Sequence, residues 1–176
     1  VLAAMGLAII PALSSKLAWD PVRDFAPISQ VAAAPLVIVV NNSLPARNLQ
    51  ELIAYAKPQP GKLRYGHAGV GSSQHMAGQL LNVAAGIDVV DVPYKGNEEA
   101  LTDVMAGRIE VNFQGVSTAL PQIRAGKVRA IAVTGSRRTP PLADVPTMAE
   151  AGHADATVNV WYGLLAPGGT PREVVQ

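Results

Sequence analysis

The sequence predicts an α/β fold in which a parallel β-sheet is covered by helices on both faces. Strand-like and helix-like segments alternate four times between residues 36 and 133, and the connections between them are short. Residues 36–40 form a continuous apolar run, as expected of a strand buried on both faces. Alternation of this kind is typical of a parallel sheet, whose ligands bind beyond the carboxyl ends of the strands.

Local patterns define each element in chain order. Residues 25–31 and 36–40 are strand-like, and residues 49–56 keep their larger apolar side chains on one helical face. A strand at 63–65 leads through a glycine loop into a helix. Further strands are predicted at 87–92, 109–113 and 128–133, with a helix capped by Asn97 after the first and a short helix after the second. A proline-rich loop then precedes a short helix at 147–151 and a strand at 157–165.

The composition excludes several classes of protein. Hydrophobic residues make up 49% of the chain, charged residues 15%, and the net charge is only +1, so the basic stripe of a nucleic-acid-binding protein is missing. The chain has no cysteine, which excludes disulfides, thiolate metal sites and cysteine nucleophiles. Its apolar runs are shorter than the roughly 20 residues of a membrane-spanning helix.

Both ends of the chain suggest a fragment. The first residue is Val1 rather than Met, and residues 1–12 are apolar but lack the basic start of a secretory signal peptide. At the other end, Thr170, Pro171 and Glu173 follow the pattern of a helix N-terminus, and the sequence stops three residues later.

The glycine loop at residues 66–73 is the strongest functional signal. Gly66, Gly69 and Gly71 leave little side-chain bulk between the strand and the helix, so backbone N–H groups can approach a ligand closely. Ser72 and Ser73 stand where a helix N-cap belongs. Because a helix N-terminus gathers unpaired N–H donors and about half a positive charge, this loop is predicted to bind an anion.

Two kinds of anion remain open at this point. A small carboxylate is the favoured one. The alternative is a nucleotide-dependent α/β enzyme that uses the loop at residues 66–73, with Asp91 as the ribose-binding acid about twenty residues beyond the loop. The glycine order, however, differs from that of the G-x-G-x-x-G fingerprint.

Hydrolase and metal chemistry are both disfavoured. Ser72, Ser73 and His75 lack the G-x-S-x-G elbow, and no third group is spaced for a catalytic relay, so the chain is not predicted to be an enzyme. The histidines at 67, 75 and 153 are too scattered to form a recognisable metal site. No cofactor is expected.

Several segments together resemble one family. They are DPVRDFAPI at 20–28, YGHAGVGSSQH at 65–75, VPYKG at 92–96, ALPQIRAGKVRA at 119–130, DVPTMAEAG at 144–152 and GLLAP at 163–167. These segments are similar to those of the Bug receptors, the periplasmic substrate-binding proteins of tripartite tricarboxylate transporters. Each motif alone is weak, but the combination is specific and extends from about Trp19 to Gln176.

The resemblance implies a two-lobed flytrap of the type II periplasmic-binding kind, of which this chain holds the second lobe and part of the first. Residues 1–27 would belong to lobe 1 and residues 28–156 to lobe 2, and residues 157–176 would return to lobe 1. Such a receptor would bind a small mono-, di- or tricarboxylate in the periplasm and deliver it to the membrane subunits of the transporter.

The resemblance also implies a set of ligand-side residues. They would come from the glycine loop, the following turn, the crossover strand and the end of the strand at 109–113: Gly71, Ser72, Ser73, His75, Tyr94, Lys95, Gly96, Ala34 and Gln114. In many members of the family the position of Gln114 is acidic, and that of His67 carries a small hydroxyl residue.

Overall fold

The computed structural model describes residues 1–14 and 16–175. The strands are β1 (Leu2–Ala4), β2 (Phe25–Val40), β3 (Arg64–His67), β4 (Val90–Pro93), β5 (Val111–Gly115), β6 (Arg129–Val133) and β7 (Asn159–Pro167). The helices are α1 (Gly6–Leu13), α2 (Leu49–Ala56), α3 (Ser73–Ala85), α4 (Asn97–Met105), α5 (Val116–Arg124) and α6 (Arg172–Val175). Two short 3-10 helices, Pro140–Leu142 and Ala154–Ala156, lie between β6 and β7.

The long strand β2 pairs with strands of two different groups. Its first part pairs antiparallel with β7, which in turn pairs antiparallel with β1. Its last five residues lie between β5 and β6 and are antiparallel to both. Beyond β5 come β3 and then β4, each parallel to its neighbour. The larger group therefore has the order β6-β2-β5-β3-β4, and the smaller group consists of β1, β7 and the start of β2.

The prediction of a parallel sheet holds for β3, β4 and β5 but is wrong for β2, which runs against both of its neighbours in the larger group. The apolar pattern of residues 36–40 gives burial on both faces but carries no information on strand direction. That burial is confirmed. Ile38 and Val40 pack on the side of α2 and α3, while Val37 and Val39 pack on the side of α4 and α5.

Three local predictions also need correction. The strands expected at 25–31 and 36–40 are one continuous strand of 16 residues. The helix expected at 147–151 is a hydrogen-bonded turn, in which Thr147 accepts the N–H of Ala151. Gly96 rather than Asn97 is the N-cap of α4, and Asn97 is its first helical residue.

Among the described residues, the structure has no helix with the length and hydrophobicity needed to cross a membrane. The apolar segment at the start of the chain forms β1 and α1 instead, and α1 has only 8 residues.

Candidate functional site

A cleft lies at the ends of the parallel strands of the larger group, beside the two places where the chain passes between the groups. These places are the middle of β2 and the start of β7, and we call β2 and β7 the crossing strands. The volume of the cleft is about 410 Å³. The crossing strands contribute Ala34, Val160 and Tyr162, among others. The remaining lining comes from the end of β5 and the first residues of α3, α4 and α5: Gln114, Gly115, Ser73, Gln74, Asn97, Glu98, Val116, Ser117 and Thr118.

Three helix N-termini therefore meet at this cleft. The first N–H groups of an α-helix have no partner within the helix, and the helix dipole adds partial positive charge there. The N-caps of α4 and α5 are Gly96 and Gly115, which have no side chain that could accept the first N–H groups of these helices. In α3 the Ser72 hydroxyl accepts the N–H of His75 at 3.2 Å. The cleft thus collects hydrogen-bond donors that suit an anion.

The side chains of the cleft are almost all neutral. Among the described residues that line it, Glu98 is the one charged side chain, and no lysine or arginine is present. An anion in this cleft would be held by oriented N–H and hydroxyl groups rather than by an opposite charge. Such donors are adequate for a carboxylate, because a hydrogen bond to an ionised acceptor is stronger than one between neutral groups.

The glycine loop lies beside this cleft, and the N–H groups of Gly69, Gly71 and Ser72 are used in hydrogen bonds within the loop and the start of α3. Gly69 donates to His67 Nδ1 at 3.1 Å, and Gly71 donates to His75 Nδ1 at 3.4 Å. Gly71 is buried beneath α1, where an added Cβ would approach Ile10 Cγ1 at 3.2 Å. The donors of this segment that line the cleft are therefore those of the helix start at Ser73 and Gln74.

The residues expected on the ligand side divide into three groups. Ala34, Ser73 and Gln114 line the cleft. Gly71 and Ser72, again with Ser73, line a neighbouring hollow of about 320 Å³ whose other side is formed by α1. His75, Tyr94, Lys95 and Gly96 line neither the cleft nor the hollow.

The turn at residues 94–96 is joined to α4 at both of its ends. The Tyr94 hydroxyl donates to Asp103 Oδ2 at 2.9 Å, and burial together with this bond raises the pKa of Tyr94. The side chain of Lys95 is exposed. Gly96 lies next to the cleft as the N-cap of α4.

Two of the three histidines lie together, contrary to the expectation that they are scattered. The rings of His67 and His75 are 4.8 Å apart, and His67 Nε2 lies 3.1 Å from Asp91 Oδ2. The two imidazoles and the carboxylate could in principle surround a metal ion, since their ligand atoms lie within 4.8 Å of one another. His67 closes β3, and Asp91 lies on the adjacent parallel strand β4, a proximity that only strand pairing reveals.

The hydrogen bonds of this cluster already engage both ring nitrogens of His67, which disfavours a metal ion there. His67 Nδ1 accepts the Gly69 N–H, so in the neutral ring the proton is on Nε2, where it is donated to Asp91. A metal ion at Nε2 would require the lone pair that this proton occupies. Asp91, the acid that the nucleotide alternative assigns to a ribose, is engaged by the same bond.

Comparison with known proteins identifies the family. The family model described as "Tripartite tricarboxylate transporter family receptor" matches residues 1–176. The chain belongs to this receptor family. A curated relative from Pseudomonas sp. (strain P51), the UPF0065 protein in the tcbD-tcbE intergenic region, is 38% identical over 172 residues, which cover 97% of this chain and 51% of that protein. The chain spans about half the length of the curated relatives it matches.

Several solved structures are similar to this chain over nearly its whole length. R. palustris Rpa4515, determined with adipate, matches with a TM-score of 0.89 and 34% identity over 99% of this chain and 58% of that chain. The periplasmic binding protein BugD has the same values. MatC from Rhodopseudomonas palustris, with bound malate, matches with a TM-score of 0.87 and 33% identity over 99% of this chain and 60% of that chain. The family resemblance and the periplasmic-binding-protein fold predicted from the sequence are confirmed.

Proposed function

We propose that this chain forms the ligand-capturing part of a periplasmic receptor that binds a small carboxylate and delivers it to the membrane subunits of a tripartite transporter. The observation that carries the proposal is the meeting of three helix N-termini at one cleft, whose described lining residues include no cationic side chain. The adipate and malate in the similar structures of Rpa4515 and MatC are small dicarboxylates, which this chemistry would accept. Capture of this kind requires no chemical step.

The proposed contacts follow from position in the cleft. The Ser73 hydroxyl and the N–H groups at Ser73 and at the starts of α4 and α5 would bind the carboxylate, with Ala34 and Gln114 at the sides. Gly71, Ser72 and His75 would support the loop that orients α3. Tyr94, Lys95 and Gly96 would fix the start of α4. Ordered water would complete the contacts where a donor does not reach the ligand.

The proposed lobes are residues 28–156 for lobe 2, with residues 1–27 and 157–176 contributing to lobe 1. The crossing strands β2 and β7 connect the two groups of strands, and their residues line the cleft. Closure on a ligand would then be a hinge motion through these two strands, near residues 28–31 and 157–161.

Ligand screening tests the proposal directly. Thermal shift and calorimetry with adipate, malate and citrate, beside NAD and ATP, should reveal stabilisation by carboxylates, whereas the neutral diamide of adipate should have no effect. Stabilisation by a nucleotide alone would overturn the proposal in favour of the nucleotide-dependent enzyme.

A charge placed in the cleft provides a variant test. Ser117 is exposed in the first turn of α5 and lines the cleft. Ser117→Asp should leave the fold stable, because a carboxylate is favourable in the first turn of a helix, while it competes with the ligand for the same donors. Carboxylate binding should be lost. Ser43→Asp, on the exposed segment before α2, is the control and should bind as the wild type does.

A further inference from the structure

The cleft adjoins the hollow that lies between the glycine loop and α1. Ser73, Gln74, Val160 and Tyr162 line both of them. Their volumes are about 410 and 320 Å³, so the two together offer much more room than a carboxylate group occupies. A ligand whose carboxylate lies at the helix starts of the cleft can therefore extend past these four shared residues into the hollow.

The hollow differs from the cleft in its chemistry. Of its polar side chains, only that of Ser72 lies outside the shared residues, and the Ser72 hydroxyl already accepts the N–H of His75. No charged side chain occurs among the described residues that line the hollow. Its apolar side chains are those of Ala4, Met5, Ile10, Ala68 and Val70. The hollow therefore suits an uncharged, apolar group.

Part of this apolar surface is open to water. Val70 and Ile10 are 67% and 36% exposed, and Tyr162, one of the shared residues, is 41% exposed. Exposed apolar surface in a concave site is typical of a ligand-binding groove. An apolar tail of the ligand in the hollow would remove this surface from water, which favours the bound state.

A second ionised group is poorly suited to the hollow. The start of α1 lies there, but a Cβ placed at Gly6 would be 3.8 Å from the carbonyl oxygen of Gly71, so a hydrogen-bond acceptor faces this helix start. Neither the described lining of the hollow nor that of the cleft includes a cationic side chain, and the cleft already contains Glu98. A second carboxylate would lose water without gaining a counter-charge, which is unfavourable.

We propose that the ligand is a monocarboxylate with an uncharged aliphatic or aromatic tail, which binds with its carboxylate in the cleft and its tail in the hollow. Ile10 and Val70 are then specificity-determining residues. This inference rests on the proposed carboxylate binding and narrows the class of ligand for that same site. Dicarboxylates such as the adipate and malate of the similar structures would bind here more weakly than a monocarboxylate of equal length.

A matched pair of ligands tests the proposal in the full natural polypeptide. Hexanoate and adipate have the same six-carbon chain and differ by one carboxylate. Calorimetry at about pH 8 should give a dissociation constant for hexanoate at least about tenfold tighter than that for adipate, because the hollow offers no counter-charge. Butanoate, which is two methylene groups shorter, should bind about tenfold more weakly than hexanoate. Hexanamide, which has the tail without the charge, should not bind.

A cation introduced into the hollow should change this preference. In Val70→Lys the new ammonium can pair with the second carboxylate of adipate, while hexanoate loses an apolar contact. The ratio of the two dissociation constants should shift about five- to tenfold toward adipate, as expected for a partly exposed ion pair together with the lost contact. Val83→Lys is the control, because Val83 is also exposed but lies in α3 outside the cleft and the hollow. It should keep the wild-type ratio, and both variants should melt near the wild-type temperature.

The outcomes separate this inference from the receptor proposal. If the wild type binds adipate or malate as tightly as hexanoate, or if Val70→Lys and Val83→Lys give the same ratio, the hollow does not hold the tail and the receptor proposal stands. If the wild type binds none of these carboxylates, the receptor proposal fails and this inference fails with it.

Discussion

Gly69 and Gly71 occupy the same loop and both have positive φ angles, 100° and 83°, but their surroundings differ. A Cβ at Gly69 would meet nothing within 4 Å, whereas one at Gly71 would press on Ile10 of α1. Ala at either position is expected to cost about 1–3 kcal/mol in backbone strain. Gly71→Ala should cost roughly 1 kcal/mol more, because the Ile10 side chain must also move by a few tenths of an ångström. Urea unfolding of both variants measures the difference, and equal losses would contradict the role of α1.

His75 makes the stability of the molecule depend on pH. Burial, followed by the neighbouring His67, lowers the pKa of His75 from its ordinary value of 6.5, and the nearby Asp91 only partly opposes this. Below pH 6.5 the unfolded chain therefore binds a proton at this residue more readily than the folded chain does. The free energy of unfolding therefore has its full value with respect to His75 above pH 6.5. It decreases as the pH falls from 6.5 through the lowered pKa of His75.

The check is the melting temperature at about pH 7.5 and pH 5.5. His75→Gln keeps a side-chain acceptor for the Gly71 N–H but cannot titrate, so its melting temperature should fall less on acidification than that of the wild type. His153→Gln, outside this cluster, should behave as the wild type does. If acidification lowers the melting temperature of the wild type and of His75→Gln by the same amount, His75 does not cause the pH dependence.

Single residues were the least predictable level from sequence. The glycine loop and its Ser72 cap follow from residue type and order, and the structure has both. The contact between His67 and Asp91 does not, because it depends on the pairing of β3 with β4 rather than on spacing along the chain. Asn97 illustrates the same limit. Its type suggests a cap, but its side chain binds atoms on β5, brought close only by packing.

At the level of elements, we expect the two adjacent serines at the start of α3 to have different roles, Ser72 a structural one and Ser73 a ligand-binding one. The Ser72 hydroxyl accepts the N–H of His75, while Ser73 lines the cleft. Ser72→Ala should lower the free energy of unfolding by about 1 kcal/mol through loss of the cap. Ser73→Ala should leave stability unchanged and weaken carboxylate binding. Chemical denaturation and calorimetry on both variants provide the measurement, and a Ser73→Ala variant with normal affinity would argue against the cleft.

The type of each element, helix or strand, was predicted better than the directions of the strands and the residues at which elements begin and end. The alternation of strand and helix from β3 to β6 is present, because hydrophobic period and glycine stops are local signals. The antiparallel course of β2 is not a local signal. It arises because the chain enters the larger group from the smaller one, so that β2 runs opposite to β5 and β6. The turn at 147–151 is held against the end of β6 by the bridge between Thr147 and Val133, a long-range contact that helical propensity does not include.

At the level of the whole molecule, the two groups of strands are joined where β2 and β7 cross between them. Thr134, fully buried directly after β6, ties both crossings together. Its Oγ1 accepts the N–H of Leu36 at 2.9 Å and donates to the carbonyl oxygen of Val158 at 2.7 Å. Its backbone N–H donates to the Leu36 carbonyl, and its carbonyl accepts the Val158 N–H. Leu36 lies within β2, and Val158 immediately precedes β7.

Thr134→Val should therefore weaken both crossings at once. Valine preserves the shape but leaves the Leu36 N–H and the Val158 carbonyl without the hydroxyl, so the free energy of unfolding should fall by about 1–3 kcal/mol. Thr134→Ser keeps the hydroxyl and should lose less. Amide hydrogen exchange should become faster at residues of β2 and of β7 in the valine variant but not in the serine variant. Faster exchange confined to β6 would mean that Thr134 supports its own strand and does not couple the two crossings.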